Sequence, residues 1–127
     1  MHISHAQNNF IYSAKDSILY DLKNNTVKLY KDAEVTYENI QLNAGFISID
    51  FEKNILFSTG IPDSIGNKIE LPIFMEDEKI YNADTIIYNY KSKKAKIKKL
   101  LTEEEGGYLH GKEIKKEEEK IYYLKHG

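Results

Sequence analysis

The stretch DSILYDLKNNTVKLYKDAEV (Asp16–Val35) is written a second time as DTIIYNYKSKKAKIKK (Asp84–Lys99). Superposed, Asp16 falls on Asp84, Ile18 on Ile86, Tyr20 on Tyr88, Lys23 on Lys91 and Leu29 on Ile97. Both copies alternate apolar with polar residues, break at a polar turn and alternate again. That is the pattern of two antiparallel strands joined by a tight connection. SIDFEKNIL (Ser48–Leu56) is a looser third copy. Asp21, Asp50 and Asn89 hold the same place ahead of the three turns. A short carboxylate or amide there accepts hydrogen bonds from nearby backbone N–H groups, so their expected role is structural.

A single hairpin is marginal in water, so repeated hairpins are expected to stack and bury one continuous face. The copies lie about 30 and then about 40 residues apart, which argues against a regular propeller or strict solenoid. Alternation continues through Ala33, Val35 and Tyr37, then Ile40, Leu42 and Ala44. After a bend at Gly45-Phe46 it resumes at Ile47, Ile49 and Phe51. TGIPDSIGNK (Thr59–Lys68) is the least regular stretch, and residues 60–80 are expected to hold an insertion or irregular segment. Pro72 there marks an edge or a break. Glu103–Glu105 with Gly106-Gly107 reads as a solvated loop, and YLHGKEIK and KIYYLK read as two closing strands. No helix longer than a turn or two is expected.

The bulk composition fits one all-β domain spanning residues 1–127. Apolar residues make up 41%, including ten tyrosines, with only two prolines to interrupt strands. The net charge of -2 supplies no general attraction to nucleic acid, which is not an expected partner. All 18 basic residues are lysine, so the rigid fork with which arginine grips phosphate is missing. Cysteine is absent, and no apolar run is long enough for a membrane helix. The N-terminus does not read as a signal peptide, so an exported protein would be represented here by a mature portion of a longer chain.

No catalytic or nucleotide-binding motif is present, and no cofactor or metal is expected. His2, His5, His110 and His126 lack the spacing of metal ligands. The loop acids Asp63, Glu76, Asp77 and Glu78 lack the alternating pattern of a calcium loop. Lys91–Lys99 holds six lysines. If Ala95 and Ile97 face inward, Lys94, Lys96 and Lys98 form an outward stripe, either a solubilising face or a contact for anionic headgroups. Tyr20, Tyr37, Tyr88 and Tyr90 run in phase with Ile and Leu, which suits either a core or a greasy groove with a polar lip.

In order and combination, YDLKNNTVKLYKDAEVTYENIQLNAGFISIDFEKN, YNADTIIYNYKSKKAKI, EGGYLHGKEIKK and KIYYLKHG resemble the OstA-like N-terminal region of lipopolysaccharide-transport proteins. The likeness is to the LptD/OstA lineage in its Bacteroidetes-type form, over nearly the whole chain from about residue 14. It implies a twisted open β-roll, also called a β-taco or β-jellyroll, of short antiparallel strands in two facing sheets.

The resemblance further implies a non-enzymatic conduit that shields lipopolysaccharide acyl chains across the periplasm to the outer membrane. Neighbouring β-rolls would dock end to end through edge strands, with head-to-tail self-association, and the domain would belong to a longer outer-membrane assembly protein. The positions matching the lipid groove are Ile18, Tyr20, Val27, Leu29, Val35, Leu42, Ile47, Ile49, Phe51, Ile86, Tyr88 and Ile97, with headgroup contacts at Lys94, Lys96 and Lys98. Two other readings of the same residues stand beside it. One is a structural or protein-docking β domain with a closed core. The other is a carbohydrate-active enzyme needing two carboxylates across a cleft.

Overall fold

The computed structural model describes residues 3–7, 10–105 and 119–123, with side chains from 10 to 101. The strands in chain order begin with β1 (Ile3–Gln7), β2 (Phe10–Ala14), β3 (Ser17–Asp21) and β4 (Thr26–Tyr37). There follow β5 (Ile40–Asp50), β6 (Ile55–Thr59), β7 (Ile61–Pro62) and β8 (Lys68–Ile69). The last are β9 (Ile73–Glu76), β10 (Lys79–Asn89), β11 (Lys94–Glu105) and β12 (Glu119–Tyr123). Glu103–Glu105, expected in a loop, continue β11. His2, His110, His126 and the expected strand YLHGKEIK lie outside the described residues.

The three copied hairpins are β3–β4, β5–β6 and β10–β11, and the same side-chain device builds their turns. Asp21 Oδ1 accepts from the Asn24 amide at 3.1 Å, and Asp50 Oδ1 from the Glu52 and Lys53 amides at 3.0 and 2.9 Å. Asn89 Oδ1 accepts from the Lys91 and Ser92 amides at 2.9 Å each. Four residues past each acceptor, Asn25, Asn54 and Lys93 take left-handed backbone, at φ 53°, 63° and 65°. Asparagine tolerates that region best among residues with a Cβ. The turns also stack: the Phe51 amide donates to the Asn25 carbonyl and the Tyr90 amide to the Asn54 carbonyl. The structural role expected of the three turn residues is the one they fill.

The β4–β5 and β10–β11 pairings are each interrupted part-way along. β4 shifts register between Tyr30 and Ala33, with Lys31 and Asp32 at φ 68° and 49°. The β10–β11 register shifts between Asn82 and Ala83, where Leu101 is the extra residue on β11, and β11 passes through Lys99 at φ 52°. Such bulges bend a strand and add twist. The chain also leaves the main sheet between β6 and β9 to form the small β7–β8 hairpin. That hairpin lies tight against two glycines. A Cβ on Gly60 would come 2.6 Å from the Ile69 carbonyl oxygen, and one on Gly45 2.8 Å from the Ile61 side chain. Glu70 fastens it further, accepting from the Gly45 amide through its carbonyl and from the Asp32 amide through its carboxylate.

The expected open roll is not formed. β5 pairs with both β6 and β9, and β10 pairs with the same two strands. The hydrogen-bonded path β5–β6–β10–β9 therefore returns to its start as a closed four-strand ring. β4, β3, β2 and β1 extend it on one side, and β11 and β12 on the other. β4 occupies one edge of β5 from end to end, so β6 and β9 share the other edge and the β7–β8 segment emerges between them.

Side chains then seal the interior. The ring of Phe10 stacks on Tyr37 at 4.4 Å and meets Tyr90 and Phe51 edge-on at 4.8 and 5.8 Å. Phe74 reaches Tyr88 at 5.1 Å across the core. Lys93 bridges to Glu38 at 3.0 Å outside this seam. The β-taco or β-jellyroll with a solvent-facing trough is thus replaced by a closed, filled β core.

Lys68 Nζ, on the β7–β8 hairpin, meets Asp84 Oδ1 at 2.9 Å, and Thr85 Oγ1 donates to the same oxygen. Burial alone would raise the Asp84 carboxyl, but the bonds from Lys68 and Thr85 outweigh it and hold the group below its ordinary range. Because its pKa is lower in the folded chain, Asp84 adds stability above about pH 4 and loses it as pH falls through the folded value. Asp84→Asn should therefore shrink the drop in melting temperature between about pH 5 and about pH 3. An unchanged drop would show that this anchor contributes nothing to acid sensitivity.

Candidate functional site

The residues that alternation placed on one face do share one face, and that face is the core. Val27, Leu29, Val35, Leu42, Ile47, Ile49, Ile86, Tyr88 and Ile97 are buried. Ile18 and Phe51 pack partly buried against them. Two cross-strand rows carry the set: Val27–Ile49–Leu56–Tyr88–Ala95 and Leu29–Ile47–Ser58–Ile86–Ile97. Phe10, Tyr12, Ile40, Phe74 and Tyr81 are equally deep in the core but fall outside the copied stretches.

Polar groups inside the core are few. Ser58 Oγ donates to the Ile86 carbonyl at 2.8 Å. The Tyr88 hydroxyl is fully buried without a hydrogen-bond partner, and burial, followed by the Glu76 and Glu38 carboxylates, raises its pKa. This interior holds side chains together, and among the described residues it is a filled core and not an open trough.

Tyr20 departs from its copy. It stands 46% exposed, whereas Tyr88 is 0% exposed. The cause is position in the sheet: Tyr88 lies on β10, flanked by β6 and β11, while among the described strands β3 pairs with β4 alone. The Tyr20 hydroxyl hydrogen-bonds with that of Tyr12, whose pKa is raised by burial first and by this bond second. Around this edge Leu19 is 53% and Leu22 92% exposed, and Ile11 is exposed as well.

Lys94, Lys96 and Lys98 alternate with buried Ala95 and Ile97, so they face outward. Lys94 and Lys96 border a surface groove of ≈ 550 Å³ whose other described walls are Ile55, Ile87, Asn89, Ser92 and Ala95. Lys98 is not among its lining residues. Among the described residues, no group of three or more His, Cys, Asp or Glu side chains is placed to hold a metal ion.

The chain matches no protein-family model and no curated protein. The LptD label suggested by the resemblance therefore has no match behind it, and the β-taco that went with it is not the fold observed.

The seam around Phe10 and the Lys93–Glu38 bridge differ in energetic weight. Emptying a buried aromatic site costs about 3–5 kcal/mol, whereas a half-exposed ion pair contributes about 1 kcal/mol or less. In urea unfolding, Phe10→Ala should lose several-fold more stability than Lys93→Ala. Equal losses would mean that the bridge, not the aromatic seam, closes the core.

Proposed function

We propose that the chain is a non-catalytic docking domain: a closed β core that offers the edge of β3 to an extended segment of a partner protein. The observation that carries this reading is the unfinished end of the core row at Tyr20. Inner rows that are sealed elsewhere by a further strand end at β3 with Ile18 half-buried and Tyr20 exposed. Backbone groups on the outer edge of β3 have no sheet partner among the described strands. Natural edges are usually protected by charge, proline or a covering segment. The middle of β3 instead reads Ile18-Leu19-Tyr20, with aspartate or lysine only at or beyond its ends.

Strand addition supplies the matching chemistry. An incoming extended segment forms main-chain hydrogen bonds, and its alternate side chains meet Ile18 and Tyr20 on one face and Leu19 on the other. Apolar area covered there stabilises the complex by roughly 25 cal/mol per Å² before ordering costs. No chemical step is involved. The filled interior supports this reading over an acyl-chain conduit, since a ligand inside would have to displace packed side chains.

Panning a displayed peptide library on the full chain tests the proposal. The expected winners are extended peptides with alternating apolar residues that slow amide exchange over Ser17–Asp21. Their affinity should fall at least tenfold for Leu19→Lys with Tyr20→Lys. Selected peptides that leave β3 amides unprotected, or that bind the double variant equally well, would overturn it. So would lipid A binding that perturbs Ile49 and Ile86 methyl signals.

A further inference from the structure

β3 is five residues long, Ser17-Ile18-Leu19-Tyr20-Asp21, and among the described strands only β4 pairs with it. Its pairs on β4 fix its two faces. Ile18 lies opposite Leu29 and Tyr20 opposite Val27, both buried, so these two turn to the core side. Leu19 lies opposite Lys28 and turns outward, 53% exposed. The bond between the Tyr20 and Tyr12 hydroxyls holds the Tyr20 ring at the edge. The outer edge of β3 is therefore a short template with both faces apolar at its middle.

That template matches itself. In an antiparallel pair, residues directly opposite share a face, so a slip of one residue sets the core side against the outer side. Of the registers that keep the faces, the one centred on Leu19 pairs all five residues of β3 with all five of a second β3. Leu19 meets Leu19 of the second copy on the outer face. Ile18 meets Tyr20 of the second copy on the core side, twice by symmetry, and Ser17 meets Asp21. Centring on Ile18 would set Tyr20 against Asp16, and centring on Tyr20 would set Leu19 against Asp21. With Leu19 at the axis no like charges oppose within the pair, since Lys15 and Lys23 lie beyond it in a bend and a turn. The interior row then runs on unbroken, from Leu29 and Ile18 of one copy to Tyr20 and Val27 of the other. The chain's net charge of -2 sets no strong repulsion against such a meeting.

We infer that the partner at β3 is a second copy of this chain, joined across a two-fold axis at Leu19 into one sheet continuous through both molecules. The inference rests on the docking reading and names its partner. Apolar cross-strand pairs and edge hydrogen bonds hold the junction. Five residues from each copy form a small interface, so the dimer is weak and dissociates on dilution.

Sedimentation of the full chain over a wide range of concentration, with amide exchange at the two extremes, is the test. The chain should pass from monomer to dimer as concentration rises, with Ser17–Asp21 amides slowed only in the dimer. Leu19 faces its own copy, so charge placed there has a signature that no other partner gives. Leu19→Lys alone and Leu19→Asp alone should each weaken self-association at least tenfold, and mixing the two variants should restore it as a heterodimer. Both substitutions fall on an exposed side chain, and circular dichroism checks that the fold is kept. A chain that stays monomeric, variants that dimerise as before, or a mixture that does not recover would overturn the inference. A monomeric chain whose β3 amides are protected by selected peptides would overturn the second copy as partner and leave the docking reading standing. Absence of both self-association and peptide protection would overturn both.

Discussion

The packing of Phe10 is the contact that seals the core once the β5–β6–β10–β9 ring is closed. It belongs to β2, near the start of the described chain, yet its ring touches Tyr37 at the end of β4 and Phe51 and Tyr90 just beyond β5 and β10. Those partners arrive from hairpins far apart in sequence. The long strands that carry these partners are irregular part-way along, through the bulges in β4 and β11 and the left-handed residues Lys31, Asp32 and Lys99. Aromatic rings bury large area, and offset or edge-to-face contacts add about 0.5–1.5 kcal/mol per pair. A sheet bent in this way without Phe10 would keep its hydrogen bonds and lose the seal.

The pattern of the sequence revealed sides but not what lies opposite them. Alternation identified Val27, Leu29, Ile47, Ile49, Ile86 and Ile97 as one face, and all six are buried. It also marked Asp21, Asp50 and Asn89 as turn builders, because their chemistry is local and repeats with the turn. It could not show that Phe10, Tyr12, Phe74 and Tyr81 occupy the space facing that set, since those contacts depend on the bend. The bend itself left little trace: in β4 it falls on lysine and aspartate rather than glycine. Tyr20 and Tyr88 illustrate the limit most clearly. They share a phase and a local motif, and only the presence or absence of a neighbouring strand separates an exposed ring from a buried one.

With the described interior filled by side chains, the features that bear on the proposed docking lie at the surface. Its surface is uneven in two places for two different reasons. At β3 the sheet stops while the apolar pattern continues, which favours a partner that supplies another strand. Across the outer face of β4, β5, β6 and β10, aromatic and aliphatic side chains stand where polar ones are usual, and lysines close one end. The proposed strand addition at β3 uses backbone hydrogen bonding, which the outer face does not offer.

The closed core is tested most directly by methyl NMR with a soluble paramagnetic agent that enters any water-filled space. Leu29, Ile47, Ile49, Ile86 and Ile97 methyls should keep their relaxation rates, while Leu19 and Leu22 relax strongly. Strong enhancement at Ile49 and Ile86 in the folded protein would contradict it and reopen the interior as a site.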